Sequence, residues 1–234
     1  MKSFKLALAT AAVALAPVAL AQSGNWNLTV KEDEVSHRIG NPDAQVTLTE
    51  YVSYTCSHCA TFAREGDPVL ELAYIGSGKV AVEYRQLLRN PIDLTISMMT
   101  HCGDPLKFKQ NHAAFMLSQE KWLGTAQGAS QAQIARWTQP GAASRRNIAN
   151  DFGFYEIMKQ RGYRITDLDK CLNNEAQAKA LADATQSYAR DVGVRGTPSF
   201  AINGRLVEGA HSWPTLNPKL DEALFPENSS QNGK

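Results

Sequence analysis

Two cysteines three positions apart, in Cys56-Ser57-His58-Cys59, are the side chains of this sequence best suited to covalent chemistry. An alternating run precedes them, Val46-Thr47-Leu48-Thr49-Glu50-Tyr51-Val52, rich in the β-branched and aromatic types that favour strands. After them Phe62, Val69, Leu70, Leu72 and Ala73 supply the apolar positions of a helix. Cys56 therefore stands at a helix start, where backbone N–H groups lack partners and the helix dipole is positive. Both favour thiolate over thiol, so Cys56 is expected to titrate below the free value of about 8.5, in the range of roughly 3.5 to 7.5. Each unit of that displacement is worth about 1.4 kcal/mol in favour of the ionised, reduced form. A lone C-x-x-C is equally consistent with half of a zinc site or two unrelated buried thiols. The strand before it and the helix after it are what favour the redox reading.

The elements that must position this pair follow from turns and periodicity. Trp26–Val30 is expected as a short edge strand, and the turn cluster Gly40-Asn41-Pro42-Asp43-Ala44 launches the strand at 46–52. The helix is expected over 57–75, kinked rather than ended by Pro68. Gly76-Ser77-Gly78 closes it, and Val80–Leu88 reads as a second strand parallel to the first, a βαβ unit. Helices are expected at 93–103, 106–118, 131–137, 144–161 and 174–191, with a loop at 124–130. Their apolar residues, among them Phe108, Phe115, Trp122, Ile134, Trp137, Phe154 and Leu168, offer a second core. Val194–Ile202 enters another strand, Asn203-Gly204 signals a two-residue hairpin, Arg205–Glu208 returns, and a helix follows near 214–224.

The N-terminus reads as an address. Lys2 and Lys5 precede an apolar run from Leu6 to Leu20, and Ala19-Leu20-Ala21 forms an A-x-A cleavage signal. A run of about 15 residues falls short of the roughly 20 that span a bilayer. With Lys2 and Lys5 removed, 22 of the 24 basic residues remain against 23 acidic, a net of −1 without like-charge blocks. Neither nucleic acid nor an anionic membrane is suggested. An exported chain can keep disulfides. Its cysteines, Cys56, Cys59, Cys102 and Cys171, allow three connectivities. Proximity pairs Cys56 with Cys59, which leaves Cys102 with Cys171 as a structural bridge. A second redox pair is the alternative. His101, Cys102 and His112 lack the tight spacing of a metal site, and no metal is expected.

The C-S-H-C motif, the G-N-P-D-A turn and Gly196-Thr197-Pro198-Ser199-Phe200 together resemble the DsbA-like thiol:disulfide interchange proteins of the thioredoxin superfamily. The resemblance covers nearly all of the chain after the leader. It implies an α/β thioredoxin-like fold with a helical domain inserted in the sheet. The expected division is a signal peptide at 1–21, thioredoxin-like parts at 22–92 and 186–225, a helical insertion at 93–185 and a disordered tail at 226–234. It also implies that Pro198 is cis and faces the thiols, and that the Thr197 backbone pairs with an extended substrate chain. Cys56 becomes the nucleophile and Cys59 the resolving cysteine, with Ser57 and His58 tuning the redox poise. Ser57 stands where related oxidases often have proline. Glu50 is expected either as a buried acid relaying a proton for Cys59 or as a partly exposed strand-end carboxylate.

The activity this implies is a periplasmic disulfide donor to unfolded or folding exported proteins, needing no organic cofactor because the cysteine pair is the redox centre. A DsbB-type membrane protein is the implied reoxidant. About 20 residues precede the G-N-P-D turn, too few for the dimerisation region of isomerases, so a monomer is expected. The rivals are an isomerase or reductase on the same fold, and a metal-binding or chaperone-like module using the cysteines as soft ligands.

Overall fold

The computed structural model describes residues 24–226, so the signal peptide expected at 1–21 and all but the first residue of the tail expected at 226–234 lie outside the described residues. The strands are β1 (Val30–Glu32), β2 (Ser36–Gly40), β3 (Val46–Val52), β4 (Val80–Gln86), β5 (Ser199–Ile202) and β6 (Arg205–Leu206). They form one sheet in the order β1-β2-β4-β3-β5-β6. Only β3 and β4 run parallel, joined by the helical crossover that begins at Cys56, and the other pairs are antiparallel. Hydrogen-bonded on both sides, β3 is central, and every residue but Thr47 is buried.

The crossover starts with α1 (Ser57–Glu65), continues through a short α2 (Asp67–Val69) and ends in a π-type turn at Leu70–Ile75. It divides at Gly66, two residues before Pro68, and the wider final turn changes the phase of the apolar stripe. Leu70 and Ile75 take the core positions, while Val69, Leu72 and Ala73, expected to face inward, point to solvent. Leu72 is 85% exposed.

Between β4 and β5 in the chain lie α3 (Pro91–Thr100), α4 (Phe108–Leu117), α5 (Gln119–Gln127), α6 (Gln131–Trp137), α7 (Ala142–Asp151), α8 (Phe154–Gln160), α9 (Ile165–Leu172) and α10 (Glu175–Ser187). Helix α11 (Trp213–Leu224) packs back on the sheet. One apolar cluster joins the sheet to the crossover and α11 through Leu48, Phe62, Val82, Phe200 and Leu220. A second fills the helical layer with Phe115, Trp122, Phe154 and Leu168, and it reaches Cys56 and Cys59. The thiols therefore sit at the seam of the two layers.

Several local expectations are corrected. Trp26–Leu28 is a single 3-10 turn, and the edge strand begins at Val30. The strand β2 went unread because Ser36, His37 and Arg38 carry no apolar alternation, although Ser36 and His37 are buried. The stretch 124–130 is helical as far as Gln127, where burial of Trp122 overrides the weak propensity of its small residues. The continuous helix expected at 144–161 is two helices, divided at Gly153, whose φ of 71° is left-handed and open to glycine. Ile134 is exposed rather than core. Cys171 lies on α9, a helix that the pattern did not single out. Among the described residues, no helix is long and apolar enough to cross a membrane.

Candidate active site

Cys56 occupies the N-cap position of α1 with extended backbone, φ −93° and ψ 119°, and both it and Cys59 are thiols buried from solvent. The Thr197–Pro198 peptide bond, at the entry to β5, is cis. It places the Thr197 carbonyl over the pair, where it accepts a hydrogen bond from the Cys56 thiol at 3.1 Å. The Cys56 thiol is pulled down to about 5. The largest cause is a hydrogen bond to its sulfur from the Cys59 thiol, followed against the opposing effect of burial by the Thr197 side chain and the backbone N–H groups of Cys59 and His58. The Thr197 hydroxyl is buried with no other hydrogen-bond partner, so a thiolate is what satisfies it. The Cys59 thiol is driven well above its ordinary range, first by burial, then by its hydrogen bond and proximity to Cys56. Two sulfurs of one turn are thus split into an easily ionised member and a reluctant one.

Glu50 projects from the middle of β3, opposite Tyr84 and Phe200 on the flanking strands, and is fully buried. Of the two readings, the buried acid is the one the fold realises. Its Oε2 has no hydrogen-bond partner. Burial, and then the nearby Asp67 carboxyl, push its titration well above the carboxylate range. Its charge in turn adds to the upward push on Cys59. Asp67 enters from α2 and is raised to about 7, mainly by burial. Beyond it, the Tyr54 hydroxyl donates to Thr100 Oγ1 at 3.2 Å, and Thr100 donates to the Ser97 carbonyl. That order leaves His112 Nδ1 to donate to the Tyr54 oxygen at 3.1 Å, so the unprotonated His112 Nε2 faces Asp67 Oδ2 at 3.9 Å. A protonated Asp67 is the partner that arrangement accommodates.

The loop before Cys56 is held by residues that sequence reasoning missed. Asp93, in the first turn of α3, accepts from Ser53 Oγ, Thr55 Oγ1 and the backbone N–H groups of Thr55 and Arg89 at 2.9–3.1 Å. The helix expected from Asp93 begins at Pro91 with Asn90 as its N-cap, and nothing local shows that Asp93 reaches 40 residues back to Ser53. Gln119 Nε2 donates to the carbonyls of Tyr54 at 2.6 Å and Cys56 at 2.9 Å, tying α5 to the thiols. His211 Nδ1 donates to the Pro198 carbonyl at 2.8 Å, bracing the cis-proline turn from the far side.

The Ser57 and His58 side chains are exposed, and among the described residues His58 makes no side-chain hydrogen bond or ion pair. What His58 gives the Cys56 sulfur in this arrangement is its backbone N–H. Cys102 and Cys171 are joined by a disulfide away from these thiols, with a Cα–Cα distance of 5.7 Å.

A cis-proline at the entry to β5, set against a C-x-x-C helix start, with a helical layer between β4 and β5, is the arrangement of a thioredoxin-fold dithiol protein. The chain belongs to the thioredoxin family: the family model described as "Thioredoxin" matches residues 32–222. It is 43% identical to a solved protein-disulfide isomerase from Novosphingobium aromaticivorans, covering 81% of this chain and 97% of that one with a TM-score of 0.78. Wolbachia pipientis alpha-DsbA1, 18% identical, shares the fold with a TM-score of 0.65 over 82% of this chain and 92% of that one. A Rickettsia conorii protein provisionally named a protein-disulfide oxidoreductase is 28% identical over 198 residues, 84% of this chain. This chain spans 63% of that relative's length.

Proposed function

We propose that this chain is an exported thiol:disulfide oxidoreductase that donates the Cys56–Cys59 disulfide to folding proteins carrying free thiols. The observation that carries the reading is the split between the sulfurs, Cys56 at about 5 and Cys59 far above it. A stable Cys56 thiolate favours the reduced enzyme, and so makes its disulfide a ready oxidant.

The exchange runs in two steps. A substrate thiolate attacks Cys56 Sγ, the Cys56–Cys59 bond breaks, and Cys59 leaves and takes up a proton. The Glu50 carboxyl, held protonated by burial, is the group positioned to supply it. The second substrate thiolate then attacks the substrate sulfur of the mixed disulfide and expels Cys56 as a thiolate. The substrate loses two electrons to the enzyme disulfide, and the Thr197 backbone beside Cys56 offers an extended substrate strand a place to pair. The A-x-A leader supports a periplasmic location, and a DsbB-type membrane protein is the reoxidant this chemistry calls for. We take the working form to be a monomer with no organic cofactor.

Thiolate absorbance of the reduced protein should rise with a midpoint near pH 5 that vanishes in Cys56→Ser. The oxidised protein should rapidly oxidise a reduced, unfolded model protein and only weakly reshuffle scrambled disulfides. A midpoint near the free value of about 8.5 would remove the basis for the donor role. Efficient reshuffling with poor oxidation would make the chain an isomerase.

A further inference from the structure

Away from the thiols, three side chains converge with their polar atoms unspent. Glu32 on β1 and His37 on β2 are cross-strand partners in register, and His101 caps the C-terminus of α3. One ligand atom from each lies within 4.8 Å of the others. His37 Nε2 is 3.3 Å and His101 Nδ1 4.0 Å from Glu32 Oε1. Both imidazoles are buried, and neither nitrogen of His37, nor Nδ1 of His101, has a hydrogen-bond partner. Orphaned polar atoms in such a setting are costly unless something fills the space between them.

The tautomers sharpen the point. His101 Nε2 donates to Gln86 Oε1 at 3.0 Å, which leaves Nδ1 as a bare lone pair directed toward a carboxylate oxygen. Two acceptors face one another, an arrangement that a cation relieves. The outer hydrogen bond to Gln86 is also the kind that orients a metal-bound histidine. Phe108 stacks on His37 at 3.8 Å between ring centroids and fixes its ring plane. The neighbouring Asp33 spends its carboxylate on Val35 N, Ser36 N and Ser36 Oγ and adds no ligand.

We propose that Glu32, His37 and His101 bind one divalent transition-metal ion, best matched by Zn²⁺, with water in the remaining position. Two imidazoles and one carboxylate suit zinc. Zinc bonds of about 2.0–2.1 Å in a tetrahedron bring ligand atoms to roughly 3.3 Å, so this trio closes by an ångström or so. Glu32, 30% exposed, can move that far and also admits the ion. The bound ion fastens the three-residue strand β1 to the end of α3.

The test uses the full chain with Cys56→Ser and Cys59→Ser, so that the reactive thiols cannot bind the ion, and with Cys102–Cys171 intact. After chelator treatment it is titrated with Zn²⁺ by calorimetry and with Co²⁺ by visible absorption. One equivalent should bind, with a Co²⁺ d–d spectrum free of sulfur charge transfer, and Zn²⁺ should raise Tm. Glu32→Gln, a mild change on an edge strand, should weaken binding at least tenfold, as should His101→Gln. Absence of stoichiometric binding would overturn the site, and so would binding that Glu32→Gln leaves unchanged.

Discussion

At the residue scale, the unusual feature is a pair of buried carboxyl groups, Glu50 near Cys59 and Asp67 beside Glu50, that burial keeps protonated beyond the usual carboxylate range. Asp67 is raised to about 7 and Glu50 is raised as well, with burial the first cause in both and their mutual proximity adding for Glu50. Lys109 does pull Asp67 down, but it spends its charge on Glu71 at 2.9 Å. An unfolded carboxyl titrates near about 4. Between about pH 4 and 7 the folded chain therefore holds protons that the unfolded chain has released, and stability falls as pH rises through that window. Below it both states are protonated and the effect disappears. Asp67→Asn should accordingly be more favourable at pH 8 than at pH 4 by at least about 1 kcal/mol, as read from urea unfolding at the two pH values. An equal effect at both would mean that Asp67 titrates normally in the fold. Of these two groups, Glu50 is the one that would supply Cys59 with its proton in the exchange proposed above.

At the scale of elements, the site depends on contacts that local sequence cannot announce. The strand β3 and the start of α1 were legible because each carries its own signal, β-branched alternation and a C-x-x-C at a helix start, whereas the cis turn at Thr197-Pro198 was legible only through the resemblance that the G-T-P-S-F motif helps to carry. The roles of Asp93 and Gln119 were not, since each acts on backbone 38 to 65 residues away and its own neighbourhood is an ordinary helix. The phase of the crossover helix was lost for a related reason, because a π-type turn alters which residues face inward without altering composition. His37 escaped notice because a buried histidine on a short strand has no period to betray it. Gln119 allows this dependence to be measured. Its replacement by leucine keeps the bulk but removes the donor to the Tyr54 carbonyl, which then stays buried and unpaired. The expected cost is about 1–3 kcal/mol in urea unfolding, with the Cys56 thiolate midpoint moving up from about 5 as the loop loosens. Unchanged stability together with an unmoved midpoint would show that α5 merely touches the site.

For the whole molecule, the question is how a helical layer entered and left from one sheet keeps the seam at which the thiols sit. Part of the answer is apolar, since the cluster of Phe115, Trp122 and Phe154 extends to Cys56 and Cys59. Arg145 adds a buried polar tie, donating to the Leu172 carbonyl at 2.7 Å and pairing with Glu175. The rest is covalent. Cys102, just past α3, is bonded to Cys171 on α9 across 69 residues of chain. Closing a loop of that length removes denatured-state entropy worth about 4 kcal/mol. Cys102→Ser with Cys171→Ser should therefore lower the unfolding free energy by about that amount in an oxidising buffer, while in strong reductant the parent and the variant should converge. The Cys56 titration gives the control that separates stapling from chemistry. Its causes lie in α1, Cys59 and Thr197 and do not include the bridge, so its midpoint should stay near 5 in the double variant. A stability loss with that midpoint retained assigns the bridge to the scaffold. A midpoint that climbed with the loss would mean that the two layers are coupled through the helical core, and that the redox poise of the thiols is set by the whole chain.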